Sequence, residues 1–287
     1  MPVLERPLKR LLIILFLFIV SVTACGTTSP DNKKLLLIST TTTQDSGLLD
    51  VLLPAFEKET GYQVQLVSVG SGQALQMAEE GNADVLLVHS PAAEKEFMAQ
   101  GFGTDRRLVM HNNFVLVGPP SDPARIKGKP LIDALKAIYE SGATFVSRGD
   151  QSGTNAKELA LWKSAGLDPL TRPWYLQTGQ GQGATLSIAS EKGGYALTDR
   201  GTFLAYRANI DSVILIEGDP TFLNVYHVII VNPKNGPNIN MEGAKAFADF
   251  VTSPQGQQII RDFGVDQYGQ PLFYPDAGKT DAELGLP

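Results

Sequence analysis

The sequence predicts an α/β protein built as two doubly wound α/β lobes with a ligand cleft between them. Two observations predict it. Apolar, β-branched runs alternate with amphipathic helical patterns, and that series halts at Gly118-Pro119-Pro120 and then starts again. The repeated order strand, helix, strand implies a mostly parallel sheet covered by helices.

In the first series Leu35–Ser39 reads as a strand and Gly47–Glu59 as a helix, with Leu48, Leu49, Leu52, Leu53 and Phe56 on one face. Gln63–Val69 is a second strand, Gln73–Glu80 a helix, Val85–Val88 a strand and Ala92–Ala99 a helix. Leu108–Val117 is a longer strand that the two prolines stop. The second series has helices over Ile132–Glu140, Asn155–Ser164 and Leu186–Lys192, with strands over Thr144–Val146, Tyr195–Leu197, Val213–Ile216 and Val225–Val231. Glu242–Phe250 and Gln255–Phe263 read as closing helices.

Composition narrows the function classes. The 287 residues suffice for one large or two medium domains, and 43% hydrophobic against 19% charged residues excludes a disordered chain. A net charge of −6 argues against a nonspecific nucleic-acid binder. One cysteine excludes an intrachain disulfide and a cysteine-built zinc site. Three scattered histidines argue against a histidine metal centre, so neither metal nor cofactor is expected.

The first residues read as an address. Arg6, Lys9 and Arg10 precede the unbroken apolar run Leu11–Val20, and small residues lead to Cys25. This is the layout of a secretory signal over residues 1–24, too short to span a bilayer. The lone cysteine stands where cleavage falls, which resembles a bacterial lipobox with Cys25 lipidated. Loss of three basic residues and one acidic one takes the net charge from −6 to −8. Residues 25–34 then form a tether, and the mature protein works outside the cytoplasm, in the periplasm or at the cell surface, held at a membrane but not spanning it.

Ligands of open parallel sheets bind beyond the carboxyl ends of the strands, and there the residues are of one kind. Four Gly, Ser and Thr turns open helices: Ser39 to Gly47, Gly70 to Gln73, Ser147 to Thr154 and Gly179 to Thr185. Helix N-termini present N–H donors and partial positive charge, so several converging on one cleft suit an anion. Arg148 adds a full charge and a forked donor. Each turn alone is an ordinary cap or loop; four in two lobes point to a site. No P-loop or dinucleotide fingerprint is present. Ser152 lacks a G-x-S-x-G context, and no serine, histidine pair stands out, so no catalytic residue is assigned. His89 and Ser90 border the cleft, Ser90 as a helix cap. Asp199 and Arg200 are candidates for a loop-holding ion pair.

The lipobox, T-T-T-T-Q-D-S-G-L-L-D, V-G-S-G-Q-A-L, A-D-V-L-L-V-H, F-V-S-R-G-D-Q-S-G-T and Y-A-L-T-D-R-G-T together resemble the tungstate-binding component of bacterial tungstate ABC importers, over roughly Lys34–Phe263. The resemblance implies a periplasmic-binding-protein fold of the second type, with two crossings near Val117–Pro120 and Pro220–Asn224. Lobe 1 is then 35–118 plus 224–273, lobe 2 is 119–223, and 274–287 is a surface tail. The family's ligand elements fall on Thr40, Thr41, Thr42, Thr43, Ser71, Arg148, Ser152, Gly153, Thr154, Gly181, Gly183 and Thr185; Thr43 stands where the family has serine. The resemblance also implies a tungstate or molybdate ligand, a permease and an ATPase as partners, a monomer and no enzymatic step. The alternatives are a receptor for sulfate or phosphate, a sensor lipoprotein, and an exported hydrolase using Ser152.

Overall fold

Strand after strand in lobe 1 sends alternate residues to opposite faces of one sheet. The computed structural model describes residues 33–285, and Cys25 and the expected signal lie outside the described residues. Its elements begin β1 (Lys34–Thr40), α1 (Thr41–Asp45), α2 (Leu48–Thr60), β2 (Gln63–Val69), α3 (Ser71–Glu79), β3 (Val85–Val88), α4 (Pro91–Ala99) and β4 (Gly103–Gly118). Leu35, Leu37, Val85 and Leu87 pack with Leu48, Leu52 and Phe56 of α2 on one face. Ile38, Leu86 and Val88 pack with Ala74, Leu75 and Ala78 of α3 and Phe97 of α4 on the other. Both faces are therefore apolar and both are covered, as a doubly wound sheet requires.

The second series supplies α5 (Leu131–Ser141), β5 (Phe145–Ser147), α6 (Gly153–Ser164), β6 (Tyr175–Gln177), α7 (Gln182–Glu191), β7 (Ala196–Asp199), α8 (Arg200–Tyr206) and β8 (Val213–Ile216). Its core gathers Phe114, Leu116, Leu131, Leu135, Ile138, Phe145, Trp162, Tyr195 and Leu197. The chain then returns through β9 (Leu223–Val231), α9 (Met241–Val251), α10 (Pro254–Asp262), α11 (Val265–Tyr268) and β10 (Tyr274–Pro275). Phe247 and Phe250 of α9 and Ile260 of α10 join the α2 face of lobe 1.

Two features differ from the sequence expectation. The sheet is mixed. In the order β2-β1-β3-β9-β4-β10, β1 is parallel to β2 and β3, while β9 is antiparallel to β3 and β4. The reason is connectivity: β4 carries the chain out of lobe 1 and β9 carries it back, so they run in opposite directions.

The crossing also lies inside a strand. Residues of β4 up to Asn113 pair with β9, and from Phe114 to Val117 they pair with β7. The exchange of lobes thus occurs at Asn113/Phe114, before the expected Val117–Pro120, because the strand continues unbroken while its partners change. Return into lobe 1 begins at Leu223.

Residues from Tyr274 onward, the expected surface tail, are tied to β4 and β9. Tyr274 and Pro275 pair with His111 and Met110 of β4, and Asp276 Oδ2 bonds His111 Nδ1 at 2.5 Å. Asp281 accepts from Arg106 Nη1 at 3.1 Å and contacts His227 Nε2 at 3.0 Å. The buried Glu94 carboxylate closes this cluster against Arg106 and His227.

Candidate functional site

The four Gly, Ser and Thr turns do come together, and three of them do not behave as caps. Gly70 and Gly181 hold the N-cap positions of α3 and α7 and have no side chain to cap with, and Thr40 at the N-cap of α1 makes no side-chain cap bond. Only Ser152 caps its helix, its Oγ accepting from the Asn155 amide at 3.1 Å.

The lobes meet directly here. A Cβ on Gly70 would lie 3.1 Å from the Ser152 Cα, and one on Gly72 would lie 2.8 Å from the Gln151 carbonyl oxygen. V-G-S-G therefore has glycines because the backbone of lobe 2 passes against it. A Cβ on Gly153 would meet the His89 carbonyl at 2.6 Å, which sets the start of α6 against the end of β3.

Arg148 lies at the centre, 2% exposed. Its Nε and Nη2 donate to Asp150 Oδ2 at 3.1 and 2.5 Å, Nη1 donates to Gln182 Oε1 at 3.1 Å, and Nη2 donates across the lobes to Thr41 Oγ1 at 2.9 Å. A guanidinium has five N–H donors, so these four bonds fix the plane and leave one N–H on Nη1. Asp150 is occupied on both oxygens, since Oδ1 accepts from the Ser152 amide at 3.2 Å.

The hydroxyls sort into two groups. Thr41 Oγ1 accepts from Arg148 and, at 3.4 Å, from the Gln182 amide, so its own proton remains to donate. Ser71 Oγ accepts from the His89 amide at 3.4 Å and Ser152 Oγ from Asn155, with the same consequence. Thr42 Oγ1 and Thr154 Oγ1 are buried and have no hydrogen-bond partner among the described residues. Thr42 adjoins Thr41 on α1 in lobe 1, and Thr154 stands on the first turn of α6 in lobe 2.

The other group is internally committed. Thr43 Oγ1 donates to the Thr40 carbonyl at 2.8 Å and contacts Ser39 Oγ at 2.8 Å. Thr40 Oγ1 lies 3.4 Å from Thr43 Oγ1. Thr185 Oγ1 contacts Thr178 Oγ1 at 2.8 Å and holds the turn before α7. The Gly183 amide donates to Asp45 Oδ2 at 2.8 Å. These residues shape the site; their polar atoms have partners of their own.

Several further residues adjoin this junction. Gln182 is buried beneath Arg148, its Nε2 donating to the Leu197 carbonyl at 3.3 Å. Asp45 stands within the T-T-T-T-Q-D-S-G run, but only the fold reveals its partner. Asn112 and Asn224 are polar residues inside apolar strands, a signal legible from the sequence. His89 Nδ1 bonds Asn224 Oδ1 at 2.8 Å, and Asn112 Nδ2 donates to Asp199 Oδ1 at 3.1 Å.

Two expectations about loops are corrected. Asp199 does not pair with Arg200; it caps α8 through the Thr202 amide at 2.9 Å, while Arg200 pairs with the exposed Glu217. A half-buried guanidinium gains more from a surface carboxylate than by entering the buried strand end. Ser90 does not cap α4 with its side chain. Its amide instead donates to Glu94 Oε1 at 2.6 Å.

Burial shapes the charges. It pushes Asp199 up to about 6, opposed by the bond from the Thr202 amide. It takes His89 down to about 3, assisted by the nearby Arg148 charge, so the imidazole is neutral at neutral pH. Burial raises Asp45, and the Gly183 amide and Arg148 pull it back. Among the described residues no histidine is hydrogen-bonded to Ser152, and no group of three His, Cys, Asp or Glu is placed to hold a metal.

Comparison with known proteins agrees with this geometry. The profile of the PBP superfamily domain matches residues 26–255. Tungstate-binding protein TupA of Peptoclostridium acidaminophilum is 49% identical over 238 residues, covering 82% of this chain and 83% of that protein. Tungstate-binding protein TupA of Campylobacter jejuni is 48% identical over 237 residues, covering 81% and 87%. The crystal structure of the tungstate ABC transporter from Geobacter sulfurreducens superposes with a TM-score of 0.73 at 48% identity, covering 80% of this chain and 99% of that one. The chain therefore belongs to the PBP superfamily and, within it, to the family of the tungstate-binding TupA proteins.

Proposed function

We propose that this protein captures tungstate in the cleft between its lobes and delivers it to an ABC importer. One observation carries the proposal: two buried hydroxyls without a partner among the described residues, Thr42 and Thr154, one from each lobe, in the same two turns that hold Arg148 and its partner Thr41. A buried hydroxyl without a partner costs about 1–3 kcal/mol. An oxyanion bound between the lobes recovers that cost at both positions.

The donor chemistry suits a fully deprotonated anion. Tungstate at neutral pH is a tetrahedral dianion that accepts hydrogen bonds and donates none. Thr41, Thr42, Ser71, Ser152 and Thr154 offer O–H groups, Arg148 offers its remaining N–H and its charge, and α3 and α6 begin side by side at the same junction. Sulfate is smaller and leaves such donors badly spaced. Molybdate has nearly the same size and shape and competes. Hydrogenphosphate carries a proton and wants a buried acceptor; Asp199 Oδ2, without a partner among the described residues, is the carboxylate oxygen that reading would use.

In this reading closure about the two crossings follows binding, and the closed form is presented to a permease powered by a cytoplasmic ATPase. The protein makes no bond. Cys25 anchors it to the outer face of a bacterial membrane by lipid, and it works as a monomer. Among the described residues no helix is long and apolar enough to cross a membrane. Thermal unfolding of the ligand-stripped protein with each oxyanion in excess tests the assignment, since a ligand bound only by the folded state raises the midpoint. Tungstate raises it and sulfate does not. A midpoint indifferent to tungstate contradicts the proposal. Incorporation of labelled fatty acid that is lost in Cys25→Ala tests the anchor.

A further inference from the structure

Beyond the anion's own contacts, one charged group joins the lobes without facing a donor that the anion needs. Asp45 ends α1 in lobe 1, and its Oδ2 accepts from the Gly183 amide of α7 in lobe 2 at 2.8 Å. The amide belongs to the first turn of a ten-residue helix, where N–H groups are otherwise unsatisfied and the helix dipole favours negative charge. Tyr206 closes the other side: a Cβ on Gly183 would fall 2.2 Å from the Tyr206 hydroxyl oxygen. Residue 183 thus stays glycine because a tyrosine ring packs on it, and its amide is directed to the carboxylate.

We propose that Asp45 is a closing latch, a positioning residue whose carboxylate occupies the N-terminus of α7 in the closed form and slows release of the bound anion. Two features support the assignment. The bond spans 138 residues of sequence and joins the two lobes, so it exists only when they are together. It also sits beside the Thr41 contact to Arg148, which bridges the lobes from the preceding turn of the same short helix. α1 therefore grips lobe 2 at both ends, by a hydroxyl on Arg148 and by a carboxylate on α7. In the open form both the carboxylate and the amide return to water, and encounter with the anion does not involve them.

The assignment rests on the tungstate reading for its ligand, and the test separates the two. Stopped-flow tryptophan fluorescence of the full chain in detergent, using Trp162 and Trp174 of lobe 2, follows association and dissociation of tungstate. Molybdate, sulfate and phosphate serve as parallel probes. Asp45→Ala is expected to release the anion about tenfold faster with an association rate within about twofold of the parent, and Asp45→Asn to fall between, because a neutral acceptor is weaker than a charged one. Equal dissociation rates overturn the latch, as does slower release, which would mean that Asp45 acts through repulsion of the anion. If none of the four anions binds the parent protein, the ligand reading fails. Small-angle scattering without ligand then decides the latch: a larger radius of gyration in Asp45→Ala supports it, and an unchanged one overturns it.

Discussion

Asn224 Nδ2 donates to Asn112 Oδ1 at 2.8 Å where the two crossing strands sit in register. The pair extends at both ends, to His89 through Asn224 Oδ1 and to Asp199 through Asn112 Nδ2. Because Asn224 uses its amide N–H groups on Asn112 and Tyr226, its carbonyl accepts, and His89 must carry its proton on Nδ1. The relay ties the end of β3 to the end of β7 through both crossings. Asn224→Leu, close in volume, strands the His89 N–H and the Asn112 carbonyl. It is expected to lower stability by about 2–5 kcal/mol, read as a shifted urea midpoint.

Arg148 is expected to be the most sensitive position for binding. Its four bonds to Asp150, Gln182 and Thr41 hold the guanidinium plane, and lysine reproduces neither the fork nor the plane. Arg148→Gln is predicted to weaken tungstate binding by about a hundredfold or more, and Arg148→Lys by about tenfold or more, measured by titration calorimetry. Unchanged affinity in both variants contradicts a role for this charge.

The hydroxyls predict opposite signs in two assays. Thr42→Val and Thr154→Val remove groups with no partner among the described residues, so each variant should be as stable as the parent or more so, yet bind the anion about 5–30-fold more weakly. Thr43→Val removes a donor to the Thr40 carbonyl and should destabilise by about 1–2 kcal/mol. Paired unfolding and binding measurements on the three variants separate donors to the ligand from donors to the fold.

Glu158 makes stability depend on pH. Burial raises its pKa to about 7 from 4.5, against the pull of the hydrogen bonds it accepts from Ser147, Tyr175 and Trp162. The folded state therefore binds more protons than the unfolded one between these values, so its contribution is full below pH 4.5 and is lost as pH rises through about 7. The stability difference between the parent and Glu158→Gln should fall by roughly 3 kcal/mol from pH 4.5 to pH 8. Urea unfolding at both pH values checks it, and a constant difference contradicts it.

Much of this was legible in the residues. Val213–Ile216 and Gln63–Val69 are strands with the expected ends, because strong β-formers are bounded there by turn residues. The four junction turns and buried Arg148 stand where the strand ends place them. What local pattern does not encode is partner choice. Nothing local to Asp45 points to Gly183, nothing in β4 marks where it changes sheets, and Tyr274 carries no sign that it pairs with His111. The same holds for Thr43 and Thr42, adjacent and chemically alike, one satisfied within its turn and the other not. Such differences arise from long-range packing, which a periodicity cannot carry.

The most direct test of the central claim is calorimetric titration of the ligand-stripped protein with tungstate, molybdate, sulfate and phosphate in a phosphate-free buffer. The account predicts tight, stoichiometric binding of tungstate, competition by molybdate, and no measurable heat with sulfate or phosphate. Tight binding of phosphate with tungstate silent, or no heat with any of the four, would contradict it.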